Sequence, residues 1–409
     1  MADIGSLVDL DIADVAFGGE TIAYSGDATV FVRGAIIGER VRAEITHKRK
    51  RGYLAIVREV LDPAPTRIEH PWPLGSVDQT GAANYGHMTL AGQREMKSRM
   101  LAGQLRQAGG RELLARFSPD MIEVRGVGDD AGGWRYRTRI GVNKLDTGVG
   151  MYVSHADAHV RVHDLPLASA RIDALDLFGS AWDDAVRPGE HLRIVAPSAS
   201  EPVVIADGQV FSAPGVPGAQ TIREVVAYGD RTYEYELCAD GFWQVHERAP
   251  EALVAAVFDS LDVTEGARVA DLYAGAGLFS LVAADLVGPR GSVRAFEGNE
   301  VAVNAAQANF AGMPWASAQA LTIDERTIEA LVDGADVVIA DPPRSGLGKA
   351  AAGILAACEA RQIALVSCDA ASMARDVATL VSAGREITHF HAADIFPNTH
   401  FVETVCVVE

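Results

Sequence analysis

The first 62 residues alternate between apolar and polar side chains, which is the pattern of short strands with one buried face. Val8, Leu10 and Ile12 set this period of two, and glycines punctuate the runs that follow. The later apolar runs cover residues 29–32, 41–45 and 53–57. Short strands joined by glycine turns predict a small five-stranded β-barrel of the OB type over residues 1–62.

The pattern changes after Pro63-Ala64-Pro65, which we interpret as a linker. Residues 88–114 have helical spacing, and residues 134–139 alternate bulky or polar side chains with three arginines. On a strand those arginines would share one face, which predicts either an RNA-facing stripe or an ordinary solvent-exposed sheet face. Strand-like and loop-like segments continue to residue 235, and we expect residues 63–235 to form a central α+β domain for RNA recognition.

Residues 236–409 contain repeated strand–helix units, which predict a mostly parallel sheet covered by helices. The predicted parallel strands are Arg268–Leu272, Ser292–Glu297, Val337–Ala340 and Ile363–Ser367. Two further strands, Ile387–Ile395 and Phe401–Val408, are joined by a turn too short for a crossover helix. We therefore expect these two strands to be antiparallel neighbours within a Rossmann-like α/β domain.

The charge distribution separates the first third of the chain from the rest. The net charge of the 409 residues is −19, yet residues 1–141 carry 19 basic and 18 acidic side chains. The run His47-Lys48-Arg49-Lys50-Arg51 lies between two predicted barrel strands. A basic hairpin would suit contacts with RNA phosphates, and a solvated turn of charged residues is the alternative interpretation.

Composition excludes several classes of protein. No apolar run approaches the roughly 18 residues that cross a bilayer, and the start of the chain lacks the pattern of a secretory signal. Four cysteines, none with CxxC spacing, favour neither a disulfide framework nor a local metal site. We therefore expect a cytoplasmic protein without a membrane partner, and no feature indicates an obligate protein partner.

A glycine-rich turn follows the first parallel strand and precedes a helix. Gly275 and Gly277 would let a ligand approach the backbone, and Glu297 ends the next strand, 26 residues after Asp271. A carboxylate at that place suits ribose hydroxyls. Ser280 stands where a dinucleotide fingerprint has its last glycine, so the pattern favours S-adenosylmethionine over NAD.

Two further strand ends carry reactive side chains. Asp341, in Asp341-Pro342-Pro343-Arg344, follows a buried strand, at the edge where open α/β sheets bind ligands. Cys368 ends the next strand, and a following helix N-terminus would favour its thiolate. We interpret Cys368 as a candidate nucleophile, whereas Cys358 and Cys406 have the pattern of packed apolar thiols.

Four motifs occur together in a fixed order: Asp271-Leu272-Tyr273-x-Gly275-x-Gly277, Asp341-Pro342-Pro343-Arg344, Ser367-Cys368 with Arg375-Asp376, and Phe396-Pro397 with Val402-Glu403. In this combination the chain resembles the class I methyltransferases that make 5-methyluridine in tRNA and ribosomal RNA. Residues 1–62 resemble the TRAM domain of that family. Residues 241–246 resemble its Phe-x-Gln-x-Asn segment, which contributes to the cofactor site.

The resemblance implies a mechanism and a role for each motif residue. It implies that the Cys368 thiolate attacks C6 of a uracil, that C5 takes the methyl group of S-adenosylmethionine, and that Glu403 removes the C5 proton. RNA is the implied partner, either tRNA or rRNA. Arg344 or Arg375 is either an electrostatic partner of this site or part of a structural ion pair. The residues implied to form the cofactor site are Gln244, Tyr273, Gly275, Glu297 and Asp341.

The chain departs from the family pattern at three places. Many members carry an iron–sulfur motif of four cysteines, but residues 71–92 contain no cysteine here, so we expect no cluster. His246 stands where asparagine is usual, and Asp369-Ala370 replaces Asn-Pro after the nucleophile. Another S-adenosylmethionine-dependent enzyme, acting on RNA cytosine or a small molecule, and a non-catalytic RNA-binding protein remain the alternatives.

Overall fold

A closed five-stranded barrel forms the N-terminal part of the protein. The computed structural model describes residues 3–128, 131–154, 156 and 158–409. The barrel strands are β1 (Leu7–Val15), β2 (Thr21–Ser25), β3 (Ala28–Arg33), β4 (Arg40–Arg49) and β5 (Gly52–Asp62). They pair in the order β1-β2-β3-β5-β4, and their inward side chains, such as Leu10, Val32 and Ile45, are buried. The predicted barrel is therefore confirmed.

The basic hairpin between β4 and β5 projects from this barrel. Lys48, Lys50 and Arg51 are exposed, while Arg49 forms a salt bridge with Glu20. The positions of these side chains fit both the phosphate-binding and the solvated-turn interpretation.

A long helix connects the barrel to the rest of the protein. Helix α1 (Leu90–Leu114) begins at Thr89, whose hydroxyl accepts the Gly92 N–H, and it bends at Gly109 and Gly110, which have non-helical dihedrals. A short strand, β6 (Val124–Gly126), follows it.

A seven-stranded antiparallel sheet occupies the middle of the chain, in the order β13-β12-β11-β10-β7-β8-β9. The strands are β7 (Arg139–Lys144), β8 (Val149–Tyr152), β9 (His159–Val162), β10 (His191–Val195), β11 (Val203–Ala206), β12 (Gln209–Ala213) and β13 (Val216–Pro217). Two short helices, α2 (Ala170–Asp173) and α3 (Ala181–Ala185), accompany this sheet. A separate hairpin, β14 (Thr221–Tyr228) and β15 (Arg231–Cys238), leads into the last domain.

The predicted arginine stripe on residues 134–139 is wrong. Arg135 has a φ of 64°, which breaks the extended backbone, and its side chain is exposed and paired with Asp173. Arg137 is half-buried, and Arg139 is buried against Glu224. The three arginines therefore lie in three different environments and do not form one solvent face.

The C-terminal sheet has eight strands in the order β18-β17-β16-β19-β20-β22-β21-β6. Its strands are β16 (Arg268–Leu272), β17 (Ser292–Glu297), β18 (Ala316–Ala320), β19 (Val337–Ala340), β20 (Gln362–Ser367), β21 (Ile387–Asp394) and β22 (Glu403–Val408). The helices are α4 (Ala249–Phe258), α5 (Leu278–Val287), α6 (Glu300–Asn309), α7 (Ile328–Val332), α8 (Lys349–Ala357) and α9 (Ala370–Ser382). The parallel strands and the antiparallel pair β21–β22 confirm the predicted Rossmann-like fold.

Buried polar contacts fix the loop between β21 and β22 against α1. Lys97 Nζ lies 2.5 Å from Asp394 Oδ1, and both side chains are fully buried. The Gln93 side chain accepts the Asn398 N–H at 2.7 Å and donates to Asn398 Oδ1 at 2.9 Å. These contacts hold the segment that leads to Glu403 in one position. None of the described helices is long and apolar enough to cross a membrane.

Candidate active site

The glycine-rich turn after β16 forms an open cradle. Tyr273 and Gly275 have φ values of 62° and 55°, and Gly277, at 89°, begins α5. A Cβ placed on Gly275 would meet no atom within 4 Å, so space for a ligand lies directly above this backbone. A positive φ is unfavourable for a residue other than glycine, so Tyr273 is strained. Such strain is typical of functional sites, and it marks this turn as a candidate ligand-binding position.

Glu297 closes one side of this cradle. Its carboxylate accepts the Gly275 N–H at 3.1 Å and the Asn299 N–H at 2.8 Å. Each oxygen keeps a further acceptor position, so the oriented carboxylate can still accept two hydroxyl groups. The donor set of a ribose therefore fits this end of the cradle.

Asp341 follows β19 and enters the site from the neighbouring strand end. No hydrogen bond to its carboxylate is found among the described residues, and burial raises its pKa to about 7. Asp376 of α9 fixes the loop after it, because its carboxylate accepts the Leu347 and Gly348 N–H groups at 2.7 and 3.2 Å. A half-buried carboxylate without a donor among the described residues favours a cationic ligand beside it.

Gln244 lies in the segment between β15 and α4 and is 9% exposed. The same segment contains His246, whose ring stacks on Tyr136 with centroids 4.9 Å apart. Its Nδ1 accepts the Arg248 N–H at 3.0 Å, and burial lowers the pKa of His246 to about 4. The residue that replaces the usual asparagine is thus a neutral, packed ring at neutral pH.

Cys368 and Glu403 meet across the two strands that end at this edge. Strands β20 and β22 are antiparallel with Ser367 opposite Thr404, so the next pair in this register is Cys368 and Glu403. Side chains of directly opposite residues point to the same face with Cβ atoms about 5 Å apart. The thiol and the carboxylate therefore lie on the same face of the sheet, and their catalytic roles stay a prediction.

The electrostatics of Cys368 differ from the sequence-based expectation. Burial, and then the charges of Glu403 and Asp341, raise the pKa of the Cys368 thiol to about 12. The N-terminus of α9 does not favour the thiolate, because Asp369 caps it and accepts the Ser372 N–H at 2.8 Å. Without ligands, the thiol is therefore protonated.

Arg344 is the cation that acts on this cluster. Its guanidinium lowers the pKa of both Cys368 and Glu403, although burial keeps the pKa of Glu403 well above its usual range. The group lies over the Phe401 ring, 4.6 Å from the centroid. Arg375, by contrast, acts on the neighbouring Asp376. Of the two interpretations, the electrostatic role falls to Arg344.

Comparisons with known proteins identify the family. No family model matches the chain. An uncharacterized RNA methyltransferase of Bifidobacterium longum is 31% identical over 417 residues, covering 95% of this chain and 93% of that protein. The 23S rRNA (uracil(1939)-C(5))-methyltransferase of Halomonas elongata is 30% identical, covering 98% of this chain and 89% of that protein. The chain belongs to the RNA 5-methyluridine methyltransferase family.

A solved structure supports the fold of this RNA methyltransferase. The tRNA (uracil-54, C5)-methyltransferase of Pyrococcus abyssi, in complex with S-adenosyl-L-homocysteine, superposes with a TM-score of 0.69. The match covers 98% of this chain and 99% of that one at 19% identity. The methyl donor of this RNA methyltransferase is S-adenosylmethionine, and the cradle, Glu297 and the unpartnered Asp341 fit that molecule.

The candidate site has a further buried acid nearby, Asp271, to which sequence reasoning assigned no role. Asp271 is fully buried and receives the Ser280 hydroxyl on Oδ2, while its Oδ1 has no partner. Burial raises its pKa to about 7, with Asp341 and Glu297 contributing. The signal was available, because an aspartate at the end of an apolar strand is costly unless a ligand or a proton compensates it. No group of three or more metal-binding side chains is found in the described part of the chain.

Proposed function

We propose that this RNA methyltransferase methylates C5 of a uridine through a covalent bond between Cys368 and C6 of the base. The observation that supports the proposal is the antiparallel register of β20 and β22, which puts Cys368 opposite Glu403, with Asp341 close enough for its charge to act on the thiol. A nucleophile and a base on one face can act on adjacent carbons of a flat ring.

The bonds change in three steps. The Cys368 thiolate bonds to C6, and the electrons of the C5–C6 double bond move towards O4 to form an enolate. C5 then bonds to the methyl carbon, whose bond to sulfur breaks. The Glu403 carboxylate takes the C5 proton, the double bond re-forms, and the thiolate leaves C6.

S-adenosylmethionine supplies the methyl group on a cationic sulfur. The proposed cofactor residues are Gln244, Tyr273, Gly275, Glu297 and Asp341. Glu297 would hold the ribose, and Asp341 would face the cationic part of the ligand. Arg344 stabilises both anionic forms that the reaction needs, the thiolate of Cys368 and the carboxylate of Glu403.

Ribosomal RNA is the first substrate to test, because a relative covered almost end to end acts on 23S rRNA. A tRNA uridine is the second. The target base must leave its stack to reach Cys368 at the strand end. We propose that residues 1–62 and 63–235 bind the RNA and that residues 236–409 bind the cofactor and carry out the chemistry, in the cytoplasm.

The experiment measures methyl transfer to unmodified large-subunit rRNA and to unmodified tRNA, with nucleoside mass spectrometry as the readout. C368S should abolish 5-methyluridine while S-adenosylmethionine binding is retained. The matched control is C358S, which alters a half-buried cysteine on α8's C-terminal cap and should leave activity unchanged. Methylation by C368S at the wild-type rate, or 5-methylcytidine as the product, would contradict the proposal.

A further inference from the structure

A second concave site lies outside the catalytic pocket, on the central antiparallel sheet. A cavity of about 270 Å³, open to the surface on one side, lies between the segment that contains Trp72 and strands β7 and β10. Its wall carries Arg137, Arg139, His191 and Arg193. The volume is slightly below the range typical of drug-sized ligand pockets, so it suits a group the size of part of one nucleotide.

Three hydrogen-bond donors in this wall are buried without a partner. They are the indole Nε1 of Trp72 and the Nε atoms of Arg137 and Arg139. Trp72 is 2% exposed and Arg139 is 8% exposed, so neither residue is a solvated surface group. A buried donor without an acceptor costs stability, so the side chains in this wall, Arg137 above all, are incompletely compensated within the described part of the chain.

Within the described part of the chain, one cation at this cavity has no compensating charge. Arg139 donates to Glu224 at 2.9 Å, and Arg193 pairs with Asp240 at 2.5 Å. Among the described residues Arg137 has no ion-pair or hydrogen-bond partner for its side chain. The ligand that neutralises this cavity therefore carries one negative charge.

We propose that this cavity binds one phosphodiester group of the RNA substrate, with the guanidinium of Arg137 as its charge partner. A phosphodiester carries a single negative charge and offers only acceptors, which matches one guanidinium that has no anionic partner among the described residues. The inference rests on the proposed function in so far as RNA is the substrate.

The backbone connects this cavity to the catalytic domain. The Thr138 N–H donates to the Val245 carbonyl at 2.8 Å, and the Glu247 N–H donates to the Tyr136 carbonyl at 3.0 Å. The segment that carries Arg137 therefore runs beside the segment that carries Gln244. A phosphate held here would set the position of the RNA relative to the cofactor site.

The test compares R137M with wild type in the full-length protein. The probe is a fluorescent oligouridylate of twelve residues, titrated at several KCl concentrations. R137M should weaken binding about five- to twentyfold at low salt and reduce the slope of log K against log salt by about 0.7. For methylation of rRNA, KM should rise while kcat at saturating RNA stays unchanged.

R135M is the matched control, because Arg135 lies two residues away but is exposed and already paired with Asp173. It should change neither the affinity nor the salt slope. Thermal unfolding provides a second readout: since no described residue pairs with the Arg137 guanidinium, R137M should unfold at the wild-type temperature or above.

The outcomes separate this proposal from the proposed function. Three results for R137M would each overturn the phosphate site. The first is wild-type affinity with the wild-type salt slope, and the second is weaker RNA binding without a change in salt slope. The third is a lower kcat at unchanged KM. A clearly lower unfolding temperature of R137M would also overturn it, since that would make Arg137 a structural residue. If the wild-type protein binds RNA but forms no 5-methyluridine, the proposed function fails. The comparison of the salt slopes of RNA binding for R137M and wild type would still test the phosphate site in the cavity.

Discussion

The edge of the methyltransferase sheet and the cavity of the central sheet have opposite electrostatic character. At the sheet edge, Asp271 and Asp341 are carboxylates without enough donors, and burial raises the pKa of each to about 7. The wall of the central cavity contains Arg137, a cation that no described residue neutralises. The first site is built for a cation and the second for an anion, within a chain of net charge −19. Local burial, rather than net charge, decides which ligand each site takes.

The substitution E403Q tests the acidic sheet edge most directly and has the largest expected effect. The amide keeps the shape of the side chain but cannot accept the C5 proton, so turnover should fall about a thousandfold. Addition of Cys368 to C6 does not need this base, and a covalent protein–RNA species should therefore accumulate on a denaturing gel. The control is E359Q, at an exposed glutamate far from the cluster. Loss of activity without any adduct would contradict the role of Glu403.

The second test removes the cation that opposes the carboxylates. R344M should raise the pKa of both Cys368 and Glu403, since Arg344 lowers both. The acid limb of the pH–rate profile should move to higher pH, and the rate at pH 7 should fall about tenfold. R375M, which removes the cation beside Asp376, should leave the profile in place. An unshifted limb in R344M would count against the electrostatic assignment.

A smaller effect of opposite sign is expected for D369N. The charge of Asp369 raises the pKa of the neighbouring Cys368, and asparagine can still accept the Ser372 N–H as a helix cap. The acid limb of the pH–rate profile should move to lower pH, and the rate at pH 7 should rise about two- to fivefold. Stopped-flow or initial-rate measurements between pH 5.5 and pH 9 read this out. A shift in the same direction as R344M would show that Asp369 acts through structure rather than charge.

The smallest effect concerns stability. Burial raises the pKa of Asp341 to about 7, so the folded protein holds this proton more tightly than the unfolded chain, where the group titrates near 4. Its contribution to stability is therefore present at about pH 4 and is lost as the pH rises to about 7. D341N should raise the unfolding temperature at pH 8 and leave it nearly unchanged at low pH.

Asp336 is the matched control for that experiment. The hydrogen bond from Arg268 lowers the pKa of Asp336, so its contribution is present at high pH and is lost on acidification. D336N should accordingly lower the unfolding temperature at pH 8. If D341N and D336N shift stability in the same direction at pH 8, the account of the acidic edge is wrong.

The sequence predicted the acidic site far better than the basic cavity, for a physical reason. Asp341 and Cys368 follow short apolar strands, and buried parallel strands bring their carboxyl ends to one edge. The pairing of Cys368 with Glu403 depends on antiparallel register between strands 35 residues apart, which only the family resemblance supplied. The raised pKa of Cys368 depends on three-dimensional burial, and local sequence gave the opposite expectation.

The cavity could not be predicted because its parts are distant in sequence. Trp72 lies in a loop before α1, Arg137 beside β7, and Arg193 on β10. The alternation in residues 134–139 even predicted the wrong geometry, since the positive φ at Arg135 rotates the chain between the arginines. The positive φ of Arg135 thus separates the expected solvent-facing stripe from a cavity wall in which no described residue pairs with the Arg137 guanidinium.

The most direct measurement of the central claim is to map a covalent adduct on the protein. RNA that contains 5-fluorouridine cannot lose the C5 substituent as a proton, so the bond from Cys368 to C6 should persist after methyl transfer. Wild-type protein incubated with this RNA and S-adenosylmethionine, then digested and analysed by mass spectrometry, should carry a methylated fluorouridine nucleotide on the peptide with Cys368. Methyl transfer without an adduct, or an adduct on Cys238, Cys358 or Cys406, would contradict the mechanism.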